Sequence, residues 1–122
     1  MDRVFFVLGS LSAFVGVACG AFGAHALRAR LSPEMLDVWK TGTHYELIHA
    51  LGLLAIALVA PRFPNGPWPA AGWCFVAGTV LFSGSLYALS TTGIRVLGAI
   101  TPLGGLCFLA GWILLAVTAW RG

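Results

Sequence analysis

The sequence predicts an all-α integral membrane protein: an up-down-up-down bundle of four spanning helices forming a single domain over residues 1–122. Three observations carry this reading. Hydrophobic residues make up 59% of the chain, charged residues only 9%, and mean hydropathy is +0.92, more apolar surface than a soluble domain of 122 residues can hide. Counting Asp, Glu, Lys and Arg, the stretches 4–27, 47–61, 63–94 and 96–120 carry no charge. A bilayer core takes about 20 apolar residues as helix. Three of these stretches reach that length alone, and the second does so if its polar beginning, from Thr41, also enters the membrane. Backbone in hydrocarbon must satisfy its own hydrogen bonds, and runs rich in Gly, Ala and Leu do so as helices rather than as alternating barrel strands.

The first span covers about 4–27 and carries a ridge of small residues, Gly9, Ala13, Gly16, Gly20 and Gly23, suited to close helix packing. Arg3 before an apolar stretch and the small-x-small shape of Ala24-His25-Ala26 also suit a cleaved signal. Gly16 is a poor residue three positions before Cys19 for lipoprotein processing, and the expectation is that the first helix is retained. At the first joint Ser32 reads as a helix cap, Pro33 fits the first turn, Glu34 favours the positive helix end and Leu31 can staple to Leu36. A short interfacial helix is expected over about 33–40, with Met35, Leu36 and Trp39 toward lipid and Glu34, Asp37 and Lys40 toward water.

The second span is expected over about 41–60, and the proline-rich stretch from Pro61 to Pro69 cannot continue it and forms the second joint. The third span covers about 69–90 and the third joint lies around Thr91-Thr92-Gly93-Ile94-Arg95. The fourth covers about 97–120, where Pro102, Gly104 and Gly105 are expected to loosen the first turn and turn carbonyls toward a cavity.

Cys19, Cys74 and Cys107 fall on three different spans without a second Cys or His at metal-ligand spacing, so they read as small packing residues, and no metal site or cofactor is expected. The net charge of +3 is spread over anchors at the span ends, with no basic cluster for nucleic acid. With four spans both termini share a side. That side carries Arg3, Arg62 and Arg121 and the other carries Arg28, Arg30, Lys40 and Arg95, a near balance that leans to cytoplasmic termini in the inner membrane.

Ionisable and hydroxyl groups inside a span are costly, so their positions point to function. The up-down path brings the end of span 1, the start of span 2, the end of span 3 and the start of span 4 into one leaflet. An asymmetric polar pocket is therefore expected there from His25, Thr41, Tyr45, His49, Ser83, Ser85, Tyr87 and Thr101. Thr41, Tyr45 and His49 stack at i, i+4 and i+8 on one face of span 2, which leaves His44 and Glu46 as rim residues.

With those residues on the page, the chain resembles a known family. Gly20-Ala21-Phe22-Gly23-Ala24-His25, Lys40-Thr41-Gly42 with Tyr45 and His49, Leu81-Phe82-Ser83-Gly84-Ser85-Leu86-Tyr87, and Thr101-Pro102-Leu103-Gly104-Gly105 with Phe108-Leu109-Ala110-Gly111-Trp112 look like the YgdD-like family of small bacterial inner-membrane proteins. The resemblance implies a four-helix membrane fold and no established biochemical activity. His44 and Glu46 fall outside the pattern that carries it.

Three readings of the pocket remain. In the first, the polar residues form an interhelical network that holds the bundle, each contact worth about 0.6 kcal/mol and at most about 1.7. The protein is then a structural, accessory or interaction protein whose partners are the lipid bilayer and a second copy or a membrane-complex subunit. In the second, His25 and His49 exchange protons or contact a small ligand, as in a proton-coupled transporter. In the third, His25 and His49, with Glu46, hold a metal or haem. The Glu46-Leu47-Ile48-His49 spacing occurs once, whereas di-iron bundles need it twice. Enzyme chemistry is not expected, because Phe82-Ser83-Gly84-Ser85-Leu86 lacks the flanking glycines of a nucleophile elbow and no buried Asp is available to orient a His.

Overall fold

The computed structural model describes residues 1–121. Among the described residues four helices are long and apolar enough to cross a membrane: α1 (Asp2–Leu27), α2 (Pro33–Arg62), α3 (Trp68–Thr92) and α4 (Arg95–Arg121). Among the described residues there is no strand. The proline-rich stretch ends α2 and opens α3, as expected. Gly93 closes α3 in a left-handed conformation, φ +73°, and donates its N–H to the Leu89 carbonyl at 2.8 Å, a helix stop that glycine adopts most cheaply.

Two expectations about the helices are corrected. No separate interfacial helix occupies 33–40. Ser32 caps and accepts the Met35 N–H at 3.2 Å, but from Pro33 the helix runs unbroken to Val59. Thr41 and Thr43 do not interrupt it because their hydroxyls donate back to the carbonyls of Asp37 (2.9 Å) and Trp39 (3.2 Å), one turn earlier. Nor does Pro102 loosen α4. It stands in the first turn of the α segment Thr101–Arg121, where its missing N–H removes no helical bond, and the tighter 3₁₀ turn Arg95–Ala99 precedes it. The departures from regular α geometry lie elsewhere, in π turns at Ala18–Gly23 of α1 and Thr79–Ser83 of α3.

Neighbouring helices run antiparallel. Gly9, Gly16, Gly20 and Gly23 of α1 lie against Ala50, Leu47, Thr43 and Trp39 of α2, so the small-residue ridge is the seam between these two helices. Gly42 and Gly52 of α2 meet Tyr87 and Phe75 of α3, and Gly78 of α3 meets Phe108 of α4. At Gly104 the backbone of α4 approaches the backbone of Leu81 and Phe82 directly, leaving no space for a side chain. Helix α2 is the centre of the bundle, touching α1, α3 and α4. Its buried face reads Gly42, Glu46, His49, Leu53, Ile56, Ala60, alternating steps of four and three that keep a stripe facing its neighbours. The apolar core gathers Phe5, Leu53, Ile56, Ala71, Phe75 and Phe108, while Phe14, Phe22, Leu58, Ile113 and Trp120 point outward, toward lipid.

Candidate functional site

The polar side chains inside the bundle do not line one cavity. Ser90 and Thr118 bond carbonyls of their own helices, the buried Thr79 hydroxyl and Trp68 indole N–H have no partner, and the interhelical ones close three helix seams. At the first, Glu46 of α2 is only 4% exposed and level with the middle of α1, where Ser12 donates to its Oε2 at 3.1 Å, while Tyr87 of α3 donates to its Oε1 at 2.7 Å. Tyr87 also lies 3.4 Å from the Thr43 hydroxyl, and its ring packs on Trp39 at a centroid distance of 4.6 Å. Trp39 in turn donates its indole N–H to the Cys19 carbonyl at 2.9 Å, an oxygen within the π turn of α1 that also accepts the Ala24 N–H.

The second seam joins α2 to α4 through His49, 3% exposed. One ring nitrogen, Nδ1, is 2.7 Å from the Tyr45 carbonyl, which can only accept, so Nδ1 carries a proton. The other, Nε2, is 2.9 Å from the Trp112 indole N–H, which can only donate, so Nε2 is a bare acceptor. These partners assign the neutral Nδ1–H tautomer. The ring stacks flat on Phe108, centroids 3.5 Å apart, and meets Phe75 edge-on at 5.1 Å. The third seam joins α3 to its neighbours: Ser83 donates to the Gly42 carbonyl at 2.6 Å, and the hydroxyls of Ser85 and Thr101 pair at 2.6 Å.

Measured against the residues expected to share a pocket, this arrangement brings His49, Ser83, Ser85, Tyr87 and Thr101 into the bundle and leaves three out. His25 and Thr41 are exposed, and Tyr45 is 39% exposed, its ring against Phe82 and His44 rather than inside. His25 and His49 are therefore not partners. His44 is exposed, whereas Glu46 is no rim residue; it is the buried centre of the first seam. Sequence reasoning missed Ser12, Thr43, Trp39 and Trp112. The signal was the four-three stripe on α2, which includes Glu46 and His49 and excludes Thr41 and Tyr45, whereas a series of fours drifts around the helix.

The arrangement restricts the chemistry. Both nitrogens of His49 are engaged, so in this tautomer it offers no lone pair to a metal, and among the described residues no three His, Cys, Asp or Glu side chains are grouped to hold one. No serine–histidine hydrogen bond occurs among the described residues. A groove of about 530 Å³ runs along Tyr45, Phe82, Pro102, Leu106, Phe108 and Trp112, with His49 at its floor, and its walls are almost wholly apolar. The only ion pair among the described residues joins the N-terminal ammonium to Asp2 at 3.9 Å, which leaves Glu46 with hydroxyl partners and no cation.

Comparison with known proteins places the chain. Residues 19–105 match the family described as "Protein of unknown function (DUF423)". The chain is 49% identical over 118 residues to the UPF0382 membrane protein YwdK of Bacillus subtilis, covering 96% of each chain. It is 46% identical over 120 residues to the UPF0382 membrane protein SSP2132 of Staphylococcus saprophyticus, covering 98% of each, and 47% identical over 116 residues to a relative from Staphylococcus epidermidis, covering 94% of this chain and 93% of that one. No solved structure matches it. A four-helix apolar bundle and full-length likeness to membrane proteins of unknown function lead to one conclusion: the chain belongs to the DUF423 family of UPF0382 membrane proteins and is a small multi-pass integral membrane protein of unestablished activity.

Proposed function

We propose that this protein acts as a structural or interaction component of the bacterial inner membrane rather than as an enzyme. The observation that supports this best is that the two buried ionisable side chains of α2 are held by the chain itself: both nitrogens of His49 and both oxygens of Glu46 are met by other groups of the protein, although the buried Thr79 hydroxyl and Trp68 indole N–H have no partner. Groups placed to bind substrate would leave several donors or acceptors directed at a cavity, whereas the grooves on this bundle are lined almost wholly by apolar side chains, with the Thr79 hydroxyl the one unpartnered polar group at the groove beside Leu8 and Leu53. Partners on this reading are the bilayer and a second copy of the chain or another membrane subunit. Both termini face the cytoplasm, and within the family the chain groups with the YgdD-like proteins.

The test is reconstitution and cross-linking. Vesicles holding the purified protein and an internal pH dye should dissipate a pH gradient no faster than empty vesicles, while cross-linking in native membranes should give discrete species of higher mass. Proton flux that rises with the amount of protein in the vesicles overturns this reading. A second reading, proton-coupled transport or small-ligand binding, is favoured by one feature alone, a buried carboxyl group without a cation, and it moves from His25 and His49 to Glu46.

A further inference from the structure

We propose that Glu46 is a proton-binding site inside the membrane, connected toward the α1–α2 end of the bundle by a reversible chain of hydroxyls, Tyr87 and Thr43. This stands whether the protein is a scaffold or a transporter. A carboxylate buried in a span is costly unless a cation or several fixed N–H donors hold it, and Glu46 has neither. Its two partners, the hydroxyls of Ser12 and Tyr87, can each donate or accept.

That property lets the same contacts serve both protonation states. When Glu46 is ionised, Ser12 donates to Oε2 and Tyr87 to Oε1. When a proton from water is bound at Oε1, the carboxyl O–H donates to the Tyr87 oxygen. The Tyr87 O–H then turns to the Thr43 oxygen 3.4 Å away, and Thr43 continues to donate to the Trp39 carbonyl at 3.2 Å. No group loses its partner. The hydroxyl chain runs from Glu46 through Tyr87 to Thr43, three residues and about 4.5 Å along α2 at about 1.5 Å per residue, on the side of the exposed Lys40 and Asp37, and ends where Thr43 donates to the Trp39 carbonyl. The direct 2.7 Å contact between Glu46 and Tyr87 leaves no room for a metal ion between them and suits a proton.

A second observation points to the same place. The two π turns, Ala18–Gly23 and Thr79–Ser83, flank this stretch of α2 from either side: Cys19 binds Trp39, Gly20 lies on Thr43, and Ser83 binds the Gly42 carbonyl. Single π turns inside α-helices occur frequently at functional sites. The titratable groups facing Glu46 are Tyr87 from α3 and the Cys19 thiol from α1. On α2 itself His49 is turned to Trp112, while Tyr45 and His44 are exposed and pack on each other, with Tyr45 also against Phe82.

Infrared spectroscopy of the full chain in lipid films tests this. The unaltered protein should show a protonated-carboxyl band that changes reversibly with pH, is lost in Glu46→Gln and is unmoved by sodium or potassium ions. Hydrogen–deuterium exchange of that band should slow about tenfold in Tyr87→Phe, the effect of removing one hydrogen-bonded step worth about 1.4 kcal/mol of barrier. Dicyclohexylcarbodiimide, which is membrane-permeant and attacks protonated carboxyls, should label Glu46 in the unaltered chain, a readout that needs no variant to fold. A band absent or constant at every pH, exchange unchanged in Tyr87→Phe, a band that responds to sodium or potassium, or no label on Glu46 overturns the proposal.

Discussion

The imidazole of His49 acts at the residue scale as a two-sided fastener, tying its own helix at Nδ1 and α4 at Nε2 while its face rests on Phe108. Replacing it with Phe keeps the stacking and removes the acceptor, so the Trp112 indole N–H is left unpaired near the core. We expect His49→Phe to cost about 1–2 kcal/mol, the usual range for an interhelical bond in a membrane plus a stranded donor. Trp112→Phe should cost a similar amount because the His49 Nε2 acceptor loses its donor, and the double variant should cost less than the sum of the two singles, because one shared bond is removed in all three. Chemical unfolding in detergent micelles measures the cycle; strict additivity would mean that the bond contributes nothing. Of the polar residues named from sequence, those in α3 and α4 were legible because small hydroxyl residues in a span find a neighbouring carbonyl or hydroxyl almost wherever they point. The α2 residues were harder to read. Glu46 looked like a rim residue because its charge argues for water, and only its hydroxyl partners on two other helices reverse that.

Glycines do most of their work at the scale of helices, where they set how closely the helices approach. Gly104 meets the backbone of α3 at Leu81 and Phe82, which cannot rotate aside as a side chain could. Gly104→Val should therefore separate α3 from α4 and destabilise the protein by about 3 kcal/mol, at the upper end of overpacking costs. Gly84, on the same helix pair, has nothing near the position of an added methyl group. Gly84→Ala should be neutral or stabilise by up to about 1 kcal/mol through helix propensity. Thermal unfolding followed by circular dichroism separates the two, and equal effects would contradict the packing described. At the start of α2, Ser32→Ala should cost about 1 kcal/mol and fray the first turn. Amide exchange should show this as faster exchange at Met35, whose N–H the Ser32 side chain accepts. The cap itself was legible in sequence, but the continuity of the helix through 33–46 was not. Two threonines that look like a boundary satisfy their hydroxyls on the preceding turn and let the helix pass.

The whole molecule is a bundle with unequal helices. Its central helix, α2, is enclosed by three neighbours, while α1 and α4 keep most of their apolar surface outward. An even number of spans puts the termini together, so reporters fused at either end should read the same compartment and one inserted at the Gly93–Ile94 joint the opposite one. Opposite readings from the two ends would require a span to be lost. The number of spans, the joints and the helical class follow from composition and charge spacing alone, because the cost of exposing backbone or charge to hydrocarbon is so large that little else can compete. Rotation about each helix axis carries no such penalty. In a chain this apolar every face tolerates lipid, so the inward face of α2 is set by which glycines let a neighbour approach and which hydroxyls find a partner. Those are properties of the packed helices, and they put Glu46 inside the bundle and His25 outside it.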